Sequence, residues 1–137
     1  MSSKPEMPIT LGLGCDRGTP ASTIARCIDE ALAQAGATLA DVRAVASIAL
    51  KADEIGMAEV AQANDWIVRF YPAAELATVD VPNPSETVRK YTGTPSVSEA
   101  AALLAAGADA SHLIIEKHKL RGPDGRNATV SIARIPQ

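Results

Sequence analysis

Aromatic side chains are scarce in this 137-residue chain: Trp66, Phe70, Tyr71 and Tyr91 are the whole set. With so few rings for base stacking and a formal net charge of −3, nucleic acid is excluded as a partner class. Cysteine is rarer still, and Cys15 and Cys27 form neither a disulfide framework nor a zinc spacing. His112 and His118 stand six apart, too distant within one strand to chelate together, so no metal is expected. No apolar run reaches the roughly 18–20 residues of a membrane helix, and residues 1–8 carry no signal-peptide pattern. The expectation is a cytoplasmic protein with no membrane association and no cofactor.

Small aliphatic residues fill the gap. Hydrophobic residues make up 47% of the chain, most of them Ala, Val, Leu and Ile, which suits helices packed closely on a sheet. The length predicts one domain over residues 1–137, with 1–7 frayed.

The order of elements starts from Ile9–Pro20, which reads as a buried strand, a tight polar loop and the entry to a helix. Thr19 stands where an N-cap belongs and Pro20 at the first helical position. Ile24, Cys27, Ile28, Ala31, Leu32 and Ala35 then recur at helical spacing until Gly36 closes the helix. The entry turn would present backbone N–H groups beside Arg17, an arrangement that favours anions. Neither nucleotide motif is present. Arg17 replaces the third glycine of a dinucleotide fingerprint, and Gly18 runs into Thr19 without the lysine of a Walker loop.

Further along, Thr38–Val42 predicts one capped turn and Ala44–Leu50 a second strand. A helix from Ile55 to about Asn64 follows, weakened by Gly56, and Trp66–Tyr71 is a third strand stopped by Pro72. Ala73–Val79 carries a short helical piece, Pro82–Pro84 a rigid loop, and Ser85 caps a helix to about Tyr91. Ser96-Val97-Ser98-Glu99 forms a capping box before the helical Ala100–Ala106, which Gly107 ends. His112–Leu120 and Asn127–Ile135 are strands joined by hairpin chemistry, with Ala128, Val130, Ile132 and Arg134 on one side of the pleat. This order predicts an α/β fold: a three-layer α/β/α single domain with a mixed, mainly parallel sheet and a C-terminal antiparallel hairpin.

If the first three strands are parallel, their carboxyl ends share one rim, where open α/β sheets bind ligands. That rim would gather Cys15, Asp16, Arg17, Lys51, Asp53, Glu54 and Tyr71, with Ser96, Ser98, Lys117 and Lys119 as further candidates. Cations and helix N-termini mixed with a few acids suit a ligand bearing several carboxylates. A solvated rim whose charges only pair with one another is the plain alternative. Catalytic candidates are thinner: Cys15 as a nucleophile with His118 as base, or Asp53 and Glu54 in acid–base chemistry.

Gly14-Cys15-Asp16-Arg17-Gly18-Thr19 resembles the G-C-x-R-G-T opening of the CobE-like proteins of cobalamin (vitamin B12) biosynthesis. That family includes the C-terminal domain of the CbiG hydrolase of the anaerobic pathway. Ser47–Glu54, Phe70-Tyr71, Ser96–Leu104 and Asn127–Arg134 also match, in order, over nearly the whole chain. The resemblance implies a protein handling polycarboxylate tetrapyrrole intermediates. It carries a ligand-binding role to Cys15, Arg17, Gly18, Thr19, Lys51, Asp53 and Glu54, and its late lysine to Lys117. The hydrolase that opens the precorrin-5 lactone resembles this chain only in its C-terminal domain. A stand-alone copy resembles the CobE type of the aerobic pathway, which implies binding of a precorrin or corrin intermediate or product, with other corrin-pathway enzymes as partners. The alternative is a small hydrolase acting on a lactone or acyl substituent, using Glu54, Asp53 or Cys15.

Overall fold

The central strand β1 (Ile9–Cys15) is buried along most of its length and organises the sheet around itself. β2 (Val42–Ile48) and β3 (Val68–Tyr71) extend the sheet on one side in parallel. β4 (Leu113–Arg121) and β5 (Asn127–Arg134) form the antiparallel hairpin, with β5 paired antiparallel to β1, giving the order β3-β2-β1-β5-β4. The computed structural model describes residues 7–81 and 97–136. The expected loop Pro82–Pro84, the helix from Ser85 to Tyr91 and the cap Ser96 lie outside the described residues. No described helix is long and apolar enough to cross a membrane.

Two helices cover one face. In α1 (Ala21–Ala35) the apolar stripe Ile24, Cys27, Ile28, Ala31 and Leu32 is buried, as its spacing predicts. It packs on Ile9, Leu11 and Leu13 of β1 and on Ala128, Val130 and Ile132 of β5. α2 (Ile55–Ala63) adds Met57 and Val60 to the same core. The short α3 (Ala73–Leu76) and the alanine-rich α4 (Val97–Ala106) cover the other face, so three layers are present. β5 is therefore buried on both sides: Ser131 and Ala133 are covered as fully as Val130 and Ile132, and Arg134 emerges exposed at its end.

Small residues decide how closely α4 approaches. A Cβ at Gly12 would lie inside the carbonyl of Ser98, so the helix crosses β1 directly above that glycine. Thr10 Oγ1, fully buried, donates to the carbonyl of Ala102 at 2.7 Å. The scarcity of large side chains thus appears as backbone-to-backbone packing.

Several boundaries differ from the sequence reading, each for a local reason. Pro20 takes the cap position of α1 with ψ 152° and the helix starts at Ala21. Thr19 does not cap it; its hydroxyl, 1% exposed, is directed to the carbonyls of Asp16 (2.8 Å) and Asn127 (3.1 Å). β2 ends at Ile48 because Ala49–Lys51 turn into a 3-10 helix. Trp66 stays outside β3 because its N–H bonds to the carbonyl of Ala61 at 2.8 Å, closing α2. The expected turn before β2 forms over Leu39–Asp41 with a Thr38/Asp41 capping box, and Gly36 ends α1 at φ 69°. Gly56 does not distort α2. Its missing Cβ makes room for the carbonyl of Thr19, letting the start of α2 rest on the loop leaving β1.

Candidate functional site

The loops leaving β1 and β2 meet beside the N-terminal ends of α1 and α2, at the carboxyl rim of the parallel strands. Asp16 anchors the first loop to the hairpin, accepting from the backbone N–H (2.7 Å) and the side-chain amide (3.0 Å) of Asn127. Beyond it, Gly18 N–H donates to Glu54 Oε1 at 3.0 Å. Glu54 Oε2 lies 2.8 Å from Arg17 Nη1 and 4.0 Å from Lys51 Nζ. This carboxylate is only 2% exposed and Lys51 only 16%, so an ion pair lies beneath the surface of the rim. The N–H groups that the sequence presented as an open anion site are partly satisfied by the protein's own acid.

Arg17 forms the outer layer. Its Nη1 also reaches Asp53 Oδ1 at 2.8 Å and its Nη2 donates to the carbonyl of Leu50 at 3.2 Å. Here both partners are open to solvent, Arg17 at 57% and Asp53 at 77%. The hydrogen bond from Arg17 holds the Asp53 carboxyl below the usual aspartate range. Cys15 closes the inner side. Burial pushes its thiol up to about 11, against the opposing pull of Lys51.

An open groove of about 400 Å³ runs between the two helix starts, lined by Arg17, Gly18, Pro20, Asp53, Ile55 and Glu59 among others. Ile55 is 74% exposed there, an apolar contact point that helical periodicity does not reveal. Arg126, from the hairpin loop, also joins the rim. Its Nε donates to the carbonyl of Arg17 at 3.1 Å while its Nη1 pairs with Asp124 at 3.0 Å. Nothing in the linear sequence links residues 17 and 126; only the β1–β5 pairing brings them together.

The remaining candidates lie elsewhere. Ser98 and Lys117 belong to the α4 side of the sheet. Ser98 Oγ is 2.8 Å from Ser131 Oγ, which donates to the carbonyl of Glu116 at 2.6 Å. Lys117 Nζ is 3.5 Å from Glu99 Oε1, and that glutamate is fully buried. Tyr71 packs into the cluster under α3 and α4. Cys15 and His118 do not form a dyad: the imidazole is engaged on α1 by Glu30 Oε1 at 2.8 Å and by Gln34 at 3.0 Å. No cluster of metal-ligating side chains occurs among the described residues.

With this geometry in view, the family model for the cobalamin synthesis G C-terminus matches residues 9–133. The chain belongs to this family. It is 42% identical over 111 residues to Protein CobE of Sinorhizobium sp, a match covering 80% of this chain and 71% of that protein. It is 40% identical over 128 residues to the cobalt-precorrin-5A hydrolase of Priestia megaterium, covering 93% of this chain. That alignment spans only 32% of the hydrolase. Among solved structures, CobE from the cobalamin biosynthetic pathway superposes with a TM-score of 0.82 at 31% identity, covering 100% of both chains. As a member of the cobalamin synthesis G C-terminus family, this is a protein of cobalamin biosynthesis, with the fold of CobE.

Proposed function

We propose that this protein binds a polycarboxylate tetrapyrrole, an intermediate or product of corrin synthesis, at the rim around Arg17 and Lys51, in the aerobic form of the pathway. One observation carries the reading. Arg17 is ion-paired with Glu54 and hydrogen-bonded to the carbonyl of Leu50, yet its side chain stays more than half exposed beside an open groove at the strand ends. Tetrapyrrole intermediates carry carboxylates around a broad apolar ring, and an oriented guanidinium is the side chain best suited to grip such a group. Exposed Ile55 offers an apolar surface beside it. Thr19 and Gly18 shape the loop, since the Thr19 hydroxyl and the Gly18 N–H are engaged within the protein. The aerobic placement rests on the match to CobE proteins.

A hydrolytic role has less in its favour. Cys15 holds its proton at neutral pH, and Asp53 is a weakened base because Arg17 stabilises its ionised form. The test is a titration of the purified protein with a panel of corrinoids, followed by tetrapyrrole absorbance and by the mass of the recovered ligand. Binding with unchanged mass, weakened at least about tenfold in Arg17→Ala, is the expected result. A changed mass would make the protein an enzyme, and equal affinity in Arg17→Ala and Lys51→Ala would remove the rim from the account.

A further inference from the structure

Resting on that reading, we infer that Asp53 is a resident stand-in for a ligand carboxylate: it occupies the outer edge of Arg17 in the free protein and yields that place when the ligand binds. The two acids that meet Arg17 differ in one decisive respect. Glu54 is 2% exposed, also accepts the N–H of Gly18 and stands near Lys51, so it belongs to the frame of the site. Asp53 is 77% exposed and touches Arg17 through one oxygen at 2.8 Å. Its departure would uncover no core.

The exchange replaces one carboxylate by another. Among Arg17, Lys51, Asp53 and Glu54 the two cations balance the two acids in the free protein. Swinging Asp53 into solvent leaves that total unchanged but frees the outer edge of the Arg17 guanidinium beside the groove, still paired with Glu54 and the Leu50 carbonyl. A carboxylate arriving from the ligand can take the hydrogen bond that Asp53 gives up. The contact is therefore self-competing: it keeps Arg17 ordered and lowers apparent affinity by the fraction of time that Asp53 holds the guanidinium. Ligands whose side chains end in neutral amides gain less, because they replace a charged partner with an uncharged one.

The experiment compares wild type, Asp53→Asn and Asp53→Ala with two probes: cobyrinic acid, whose side chains end in carboxylates, and cobinamide, whose side chains end in amides. Both variants should bind cobyrinic acid about two- to fivefold more tightly than wild type, the range that an exposed ion pair can hold back. Cobinamide should show no comparable gain, and added salt should shrink the difference between variants and wild type. If wild type binds cobyrinic acid and both variants bind it equally well or more weakly, Asp53 is not a competitor and the inference is overturned while the binding reading stands. If neither wild type nor variant binds a corrinoid, the binding reading itself fails and takes the inference with it.

Discussion

Glu54 Oε1 accepts the backbone N–H of Gly18 at 3.0 Å, joining the exits of β1 and β2 across 36 residues of chain. The Glu54 side chain is only 2% exposed, although Gly18 lies at the surface, and the same carboxylate is shared with Arg17 and Lys51. Glu54→Ala leaves an N–H and a largely covered amine without their acceptor. It should cost about 2–4 kcal/mol of stability, read from urea unfolding at neutral pH. Glu54→Gln keeps an acceptor for Gly18 and should lose clearly less. A loss under about 1 kcal/mol in Glu54→Ala would show that the loops are held by packing alone.

Lys117 and Glu99 make a second test of buried charge. Glu99 is fully covered in the first turn of α4, and Lys117, on β4, is 28% exposed. Lys117→Met should destabilise by about 2–3 kcal/mol, below the usual cost of breaking a buried pair because the lysine still sees water. Adding Glu99→Gln should return part of that loss, since the buried carboxylate that faced Lys117 is then neutral. Thermal and urea unfolding of both single variants and the double variant decide the matter. Strict additivity of the two losses would deny the coupling.

Cys15 and Cys27 should be poor nucleophiles at physiological pH. Burial pushes their thiols up to about 11 and about 12, so the thiolate is a small minority at pH 7.5. Labelling by iodoacetamide, followed by mass, should be slow at pH 7.5 and accelerate as pH rises, Cys15 before Cys27 because Cys15 is the less enclosed. Cys15→Ser should retain corrinoid binding. Fast labelling of Cys15 at neutral pH would reopen the case for a reactive thiol.

Much of the scaffold was legible because it rests on periodicity and on turn chemistry. The stripe from Ile24 to Leu32, the close at Gly36, the Thr38–Asp41 capped turn and the C-terminal hairpin all appear where the residues place them. Errors came where one side chain has two uses. Thr19 suits a helix cap, but a buried hydroxyl beside two carbonyls bonds to them instead. The capping box expected of Ser96 and Glu99 involves a serine outside the described residues; what the structure adds is that the Glu99 carboxylate meets a lysine on β4. Gly56 looks like a defect in a helix until the carbonyl of Thr19 is seen where its Cβ would be.

The amino-acid order alone determined the succession of strands and helices, the buried stripe of α1 and the composition of the loop at Arg17, because each depends on neighbours within a few residues. It also placed Arg17, Asp53 and Glu54 on one rim, through the parallel arrangement expected of the first three strands. Which charges meet was decided only by the tertiary structure. Arg17 faces Asp53 and Glu54, while Lys117 turns away on the opposite side of the sheet to meet Glu99. The physical reason is that ion pairing has no period along a chain. It depends on distances of a few ångströms, and for residues far apart in sequence the order β3-β2-β1-β5-β4 and the close seat of α4 over Gly12 set those distances.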